Sequence, residues 1–390
     1  MTRRLLPILA AVLLALPSIA QTNPAERVVD LTSADGTRLK GTFFSAAKPG
    51  PGVLLLHQCN KDRKIWDGLA RQLAASGINV LTFDLRNFGE SEGEPLGKLT
   101  PQAAQASAQK WPADVDAALG YLVSQPGVQR DAIGLGGASC GVNNSLQAAR
   151  RHPEVKSLVL LAGPTNLDGR NFLRHSKLPV LYGFADDDQF PPSPLQTEWL
   201  YALTPNPGKK LVRYPDGGHG AEIFKVHPEF EGIIKDWFIT TLIKTPGRAP
   251  VPKAKPTLPK EIQVLDLLDQ PGGAGRVSTM LAEARKMDPK AALFPETVVN
   301  LMGYEHMQAG DNKGAVEILQ LNAEAYPDST NVYDSLSDAY LADGQKDLAL
   351  KNVKRALEML KTDTTTPQQL RDGIKASCEQ KLKQLGEKAE

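Results

Sequence analysis

Ala132-Ile133-Gly134-Leu135-Gly136-Gly137-Ala138-Ser139-Cys140-Gly141-Val142-Asn143-Asn144-Ser145-Leu146 is the stretch that decides the fold. Residues 132–136 read as an apolar strand, residues 143–149 as a helix, and between them stands Gly-Ala-Ser-Cys-Gly. A serine on such a sharp strand-to-helix turn occupies strained backbone. Glycines two residues to either side let strand and helix approach closely enough to expose its hydroxyl at the top of a sheet.

A serine so placed needs an acid and then a histidine further along, each after a strand. Leu178-Pro179-Val180-Leu181-Tyr182-Gly183 reads as a buried strand, and Asp186 lies three residues past its final glycine. Asp186 is therefore the expected acid, with Asp187 and Asp188 as neighbouring rivals and Pro191 as the turn residue. Lys210–Tyr214 reads as the next strand, and Pro215-Asp216-Gly217-Gly218-His219-Gly220 follows it. Of the six histidines, His57, His152 and His175 precede the acid, His227 opens the next helix and His306 lies far downstream. His219 is the expected base.

A serine hydroxyl becomes nucleophilic when an imidazole removes its proton, and the imidazole needs a carboxylate to fix its tautomer. The oxyanion formed on attack calls for two backbone N–H donors, one from the residue after the nucleophile and one from the loop after the third strand. Cys140 supplies the first. Cys59, in the loop after Gly52–His57, is expected to supply the second, with Gln58 as the alternative.

Residues 27–244 resemble the α/β-hydrolase superfamily, in particular small lidless members related to dienelactone hydrolases and carboxylesterases. The resemblance is carried by Leu54-Leu55-Leu56-His57, the run Leu81–Ser91, the elbow at Ser139, Asp186 and His219. It implies an acyl-transfer site built from Ser139, Asp186 and His219 that needs no metal and no organic cofactor. Gln58 and Asn87 depart from the glycines usual after the histidine and the arginine, and asparagine tolerates the left-handed turn expected at position 87. Dienelactone hydrolases use cysteine as nucleophile, so Cys140 is the rival to Ser139, although Val142 would then crowd the elbow. The resemblance gives His57 a loop-orienting role, Asp84 and Arg86 form an expected structural pair, and Trp66 and Trp111 are read as packing residues. Because Cys59 and Cys140 share the oxyanion site, they are expected to lie close enough for a disulfide. Cys378 is left over as inert or exposed.

Strand signals near 28–32, 39–44, 52–57, 78–84, 131–136, 157–162, 178–183 and 209–214 alternate with helical ones such as 65–76 and 112–124. The expected fold class is α/β, a mainly parallel eight-stranded sheet between helices with active residues at the carboxyl ends of strands, followed by a small all-α repeat domain. Only some 16 residues separate Leu161 from Leu178, too few for a lid, and the Ala- and Gln-rich segment 93–110 is the expected far wall of an open cleft.

Residues 1–20 combine a basic start, an apolar run and the small residues Ser18 and Ala20, the pattern of a cleavable export signal cut after Ala20. Export to the periplasm or beyond is expected, without a membrane span afterwards. With 45 basic and 44 acidic residues, the balance of charge argues against a nucleic-acid partner. The hydrolase unit is expected over 21–244, a Pro-rich linker over 245–260 and a helical unit over 261–390. Within the last, Gly310 and Gly344, Ala315 and Ala349, Met302 and Leu336, and Met307 and Leu341 recur at a period of 34 residues. This resembles a pair of tetratricopeptide repeats over about 296–361, with 263–286 and 366–385 as capping helices. The resulting expectation is an exported serine esterase acting on a small-molecule ester, with a protein partner or a bracing role for the repeats. A serine peptidase with the same triad and a non-catalytic scaffold are the alternatives.

Overall fold

The computed structural model describes residues 25–190, 192–254 and 256–387. The export segment 1–20 and Pro191 lie outside the described residues. Eight strands form one sheet: β1 Ala25–Thr32, β2 Arg38–Ser45, β3 Gly50–Leu56, β4 Asn79–Phe83, β5 Val128–Ala138, β6 Val155–Leu161, β7 Val180–Ala185 and β8 Lys210–Tyr214. Their order is β1-β2-β4-β3-β5-β6-β7-β8. β1 with β2 and β2 with β4 are antiparallel, and every later pairing is parallel. The expected mainly parallel eight-stranded sheet is what the chain forms.

β3, β4 and β7 are buried along their whole length and read as unbroken apolar runs because helices cover both faces of the sheet. On one face pack α1 Asp67–Ala75 and α8 Glu229–Phe238, through Leu69, Leu73, Phe230 and Ile234. On the other lie α3 Trp111–Ser124, α4 Cys140–Arg151, α5 Leu167–His175 and α6 Pro192–Leu203. α2 Pro101–Ala108 is capped by the Thr100 hydroxyl, and α7 Ile223–Val226 follows the His219 loop. Only α5 stands between β6 and β7. The chain there is as short as its sequence indicates.

Two strands run two residues further at their carboxyl ends than the sequence suggests, and both matter to the site. β5 continues through Ala138, so Ser139 is the first residue beyond it. β7 continues past Gly183 to Ala185. Asp84 and Arg86 are not a pair with one another: Arg63 takes Asp84, while Arg86 Nη2 donates to Asp114 Oδ1 at 2.6 Å and Nη1 to Asp35 at 2.7 Å. Both guanidiniums thereby hold the loop after β4 to neighbouring elements. Trp66 is fully buried in the α1–α8 layer, consistent with a packing role.

From Thr245 to Lys260 the described residues beyond the π-helical turn Ile239–Lys244 form no helix or strand. Seven helices follow among the described residues: α9 Glu261–Leu268, α10 Gly273–Met287, α11 Glu296–Gln308, α12 Asn312–Ala325, α13 Thr330–Ala342, α14 Lys346–Leu360 and α15 Gln368–Leu385. Glu296 is matched by Thr330 and Asn312 by Lys346, so the α11–α12 pair recurs as α13–α14 at an offset of 34 residues. Close helix crossing sets the small residues of the period: a Cβ on Gly303 would lie 2.4 Å from Leu319 Cγ. Ser337 occupies the matching place in α13 and turns its hydroxyl back to the Asp334 carbonyl at 2.5 Å. Cys378 is buried, not exposed, with Sγ 3.1 Å from Asp334 Oδ1. Among the described residues no helix is long and apolar enough to cross a membrane.

The helical part does not stand apart from the sheet. Leu265, Leu268, Val298 and Met302 belong to the same apolar cluster as Trp199 and Leu200 of α6. Arg170 of α5 sits at this junction, almost wholly buried. It donates to Asp269 at 2.8 Å and to Glu305 at 2.6 Å, and its guanidinium lies 4.8 Å from the centre of the Trp199 ring. Removing one partner of a buried ion cluster leaves charges without compensation. Arg170→Ala is expected to cost roughly 3–5 kcal/mol, read as a lowered thermal midpoint, with proteolysis entering first between 245 and 260.

Candidate active site

The elbow forms because two glycines permit contacts that no side chain could survive. A Cβ on Gly137 would lie 2.1 Å from the Gly141 carbonyl oxygen, and one on Gly141 would lie 2.5 Å from that of Leu56. Strand, helix and the end of β3 therefore meet almost backbone to backbone. Ser139, caught between them, has φ 53°, a left-handed value rare outside glycine. Its N–H donates to Leu161 at 2.9 Å, and its carbonyl accepts from Val142 at 2.9 Å. The hydroxyl side is half-buried at the carboxyl end of the sheet.

His219 is buried and its Nδ1 faces the Asp188 carboxylate at 2.7 and 3.0 Å. Asp188, not Asp186, is the carboxylate on this imidazole. The Phe190 N–H donates to Asp188 Oδ1 at 2.8 Å and fixes its plane. Asp186 turns outward, accepting from Arg213 Nε at 2.8 Å, and Asp187 accepts from the Gly218 N–H at 2.9 Å, bracing the histidine loop. The three adjacent aspartates thus have three different tasks. The spacing of three residues from strand to acid holds, but it counts from Ala185, where β7 ends, and not from Gly183. The Asp186 N–H is still bonded to Tyr214 O at 2.9 Å, continuing the strand pairing past the position that its sequence suggested.

The histidine loop lies against the elbow. A Cβ on Gly220 would stand 3.2 Å from the Ala138 Cβ. No hydrogen bond joins the Ser139 hydroxyl to His219 among the described residues, and bonds of this kind commonly tighten only as the reacting group arrives. Phe190 packs on the His219 ring, with centroids 4.6 Å apart, and remains half exposed.

Cys59 and Cys140 are joined in a disulfide, with Cα atoms 5.8 Å apart. Cys140 is the first residue of α4, so its N–H has no partner within the helix and stands at the positive end of the helix dipole. The bond ties this donor to the loop after β3 and occupies the thiol that would make Cys140 a rival nucleophile. His57 holds the same loop from behind. The Leu85 N–H donates to His57 Nε2 at 3.1 Å, so the proton sits on Nδ1 and goes to Gln58 O at 2.9 Å. Burial pushes the His57 pKa below its ordinary 6.5, against the opposing pull of the Gln58 carbonyl and Asp84. With both nitrogens engaged in the neutral form, His57 ties the loop after β3 to the turn after β4.

Beyond the disulfide opens a cleft of about 860 Å³, lined among others by Cys59, Ile65, Phe88, Leu96, Ala104 and Lys225; it adjoins the elbow through Cys59, and neither Ser139 nor His219 is in its wall. Leu96 and Ala104 come from segment 93–110, the wall expected from the sequence. Asn87, on the turn beside it, has φ 69°, the left-handed conformation anticipated there. Three residues that sequence reasoning did not assign to the site are Asp188 as the partner of His219, Gln58 as a side chain and Phe190. Asp188 stood as a rival to Asp186 for the acid, and Gln58 as the alternative oxyanion donor. Nothing in its spacing pointed to Phe190.

A family model for the alpha/beta hydrolase fold matches residues 51–176, and the chain carries that fold. Thiohydrolase aneE of Aspergillus aculeatus is 32% identical over 134 residues, which are 34% of this chain and 39% of that protein. The uncharacterized protein YfhR of Salmonella typhi is 27% identical over 233 residues, 50% of this chain and 75% of that protein. A dienelactone hydrolase structure from Anabaena variabilis aligns with a TM-score of 0.45 at 23% identity, covering 56% of this chain and 99% of that one. The chain spans 39% to 55% of the length of the first curated relatives it matches.

Two outcomes follow from the geometry. Titration of the unreduced, denatured protein is expected to find one reactive thiol, Cys378, and three after reduction; three before reduction would mean that Cys59 and Cys140 are free. Because His57 is held neutral in the fold, unfolding takes up a proton at pH values below the unfolded histidine's 6.5, and stability falls as pH drops from there. His57→Gln, which cannot titrate, is expected to flatten the fall in thermal midpoint between about pH 7 and pH 5.

Proposed function

We propose that this protein is an exported serine hydrolase that cleaves carboxylic esters, thioesters included, through an acyl-serine intermediate. The observation that carries this reading is the buried Asp188–His219 pair set against a strained serine elbow. Ser139 Oγ attacks the acyl carbon while His219 Nε2 takes its proton, and Asp188 stabilises the imidazolium and fixes its tautomer. The tetrahedral oxyanion accepts from the N–H groups of Cys140 and Cys59. As the carbonyl reforms, the bond to the leaving alcohol or thiol breaks and His219 returns the proton to it. Water then attacks the acyl-serine with the same histidine as base, releasing the acid and restoring Ser139. The balance closes without metal or organic cofactor.

The substrate class rests on two supports. The cleft beside the disulfide is open and mostly apolar, which suits a small or flexible acyl group better than a long lipid chain. The thiohydrolase aneE, similar over a third of the chain, gives the thioester arm. Export is inferred from the signal-like composition of residues 1–20 together with the Cys59–Cys140 bond, since disulfides persist in oxidising compartments. The helices over 296–361 are read as a pair of tetratricopeptide-like repeats that brace α5 and α6 through Arg170, on the strength of their 34-residue offset. Hydrolase unit and helical unit divide near residue 244 in this reading.

A fluorophosphonate probe is expected to label mature protein at Ser139, with turnover of short-chain nitrophenyl esters or acyl thioesters. Labelling without such turnover would favour a peptidase, and no labelling would favour a scaffold. Ser139→Ala and His219→Ala are each expected to abolish labelling. Asp188→Ala should lower kcat on the order of 10⁴-fold, whereas Asp186→Ala should stay within a few-fold of the parent; equal losses from the two would refute the assignment of Asp188.

A further inference from the structure

Gln58 follows the loop-orienting His57 and precedes Cys59, and its side chain is wholly buried. The amide is spent on the histidine loop. Oε1 accepts from the Ala221 N–H at 3.0 Å, while Nε2 donates to the His219 carbonyl at 3.4 Å and to Asn60 Oδ1 at 2.8 Å. Gln58 thus grips the backbone on both sides of Gly220. That glycine has φ 61°, and a Cβ on it would stand 2.6 Å from Gln58 Oε1, so the loop is shaped around the amide. The main chain of Gln58 is anchored as firmly, its carbonyl accepting from His57 Nδ1 at 2.9 Å and from the Lys61 N–H at 3.0 Å.

These bonds connect two parts of the site that no regular element joins. The loop after β3 presents Cys59, and the loop after β8 presents His219. The Asp188 carboxylate fixes the tilt of the imidazole but not its distance from the loop that carries Cys59. The disulfide fixes Cys59 to Cys140 but does not touch the histidine loop, and the Lys61–Glu222 ion pair at 2.7 Å ties the two loops only at their partly exposed rim.

We propose that Gln58 is a positioning residue, whose side-chain amide sets the distance between the proton-transferring His219 and the oxyanion donor at Cys59. It touches neither substrate nor reacting atoms and acts through the backbone of residues 219–221. The inference rests on the serine-hydrolase reading given above. Its chemical consequence is specific: a histidine displaced from the elbow weakens proton transfer in the transition state while leaving ground-state binding in the cleft unchanged, so kcat falls and KM does not.

The test uses the full mature chain and three variants: Gln58→Met, nearly isosteric and without the hydrogen bonds; Asn60→Ala, which removes one bond of the Gln58 amide and leaves those to Ala221 and His219; and the double variant. Each is assayed for kcat and KM on a short nitrophenyl ester and for the rate of fluorophosphonate labelling, with thermal midpoint and thiol count as measures of folding. Gln58→Met is expected to lose about 10- to 100-fold in kcat and in labelling rate, with KM within twofold of the parent. Asn60→Ala is expected to lose less, and to add nothing in the Gln58→Met background, because both act on one amide. Unchanged kcat in Gln58→Met, or a loss that follows the fraction of unfolded protein, would overturn the proposal. Should Gln58→Met fail to fold, Gln58→Asn, whose amide is one carbon too short to keep the contacts to Ala221 and His219, decides: a loss of kcat at constant KM supports the positioning role and parental kcat refutes it. A parent chain that neither labels nor turns over ester would instead refute the hydrolase reading, which separates the two failures.

Discussion

The structure depends on one close approach, the contact of backbone on backbone where β5 turns into α4. Gly137 and Gly141 leave no room for a Cβ, and the strand, the helix and the end of β3 converge there at distances that only glycine permits. Ser139 carries the resulting strain in its positive φ. Such strain of order 1–3 kcal/mol persists only where the surroundings over-determine it, and here they do. The Ser139 N–H and carbonyl are both bonded, and a Cβ on Gly163 would lie 2.3 Å from the Ser139 carbonyl oxygen, so a third strand end presses on the same turn. Because α4 is pinned at its first turn, the N–H of Cys140 points where the loop after β3 can be tied to it. The disulfide is a consequence of that approach.

Charge does for the loops what apolar contact does for the sheet. Asp84, fully buried, accepts from the Arg63 and Glu90 N–H groups and pairs with the Arg63 guanidinium, joining the loop after β4 to the turn that precedes α1. Arg86 repeats the device toward Asp114 and Asp35, and the guanidinium and neighbouring hydroxyl hold the Asp35 carboxyl well below the usual carboxylate range. Burying ions is costly, and replacing such pairs by apolar residues often stabilises a protein. Their value here is geometric, since bidentate guanidinium contacts fix loops that carry no regular hydrogen-bond ladder. Arg170 applies the same logic to the seam with the helical part, where it converts two buried carboxylates into a seat for α9 and α11.

The sheet, the elbow and the histidine were legible because each is written in a local pattern: unbroken apolar runs for strands buried on both faces, small residues around the serine, and glycines around His219. The carboxylate on His219 lies two residues beyond the expected Asp186 for a physical reason. Phe184 and Ala185 extend β7 beyond the glycine that looked like its end, and a glycine in a strand marks a close neighbour as readily as a terminus. A Cβ on Gly183 would meet Phe230 at 2.3 Å. Its absence of side chain belongs to packing against α8. The partners of Asp84 and Arg86 were hidden for another reason, since ion pairs between loops are set by topology and leave no periodic trace. Gln58 was legible only as a departure from glycine. That departure marked the residue without revealing that its amide reaches 163 positions along the chain to Ala221.

An open cleft shapes what the rest of the site must supply. Enzymes with lids complete their constellation by closing over the substrate, so their loops can be loose beforehand. Only α5 stands between β6 and β7, where a lid would be inserted, and the cleft wall from segment 93–110 leaves the mouth wide. Geometry in the proposed reaction then has to exist before binding, and each mobile part needs its own restraint. The serine is held by the elbow, the Cys140 donor by the disulfide, the imidazole tautomer by Asp188 and the loop after β3 by the neutral His57. What these four leave free is the separation between the histidine loop and the oxyanion loop. A flexible pair of loops there would cost catalysis through misplacement by as little as ~1 Å, and the buried amide of Gln58 spans that gap beside the more exposed Lys61–Glu222 ion pair.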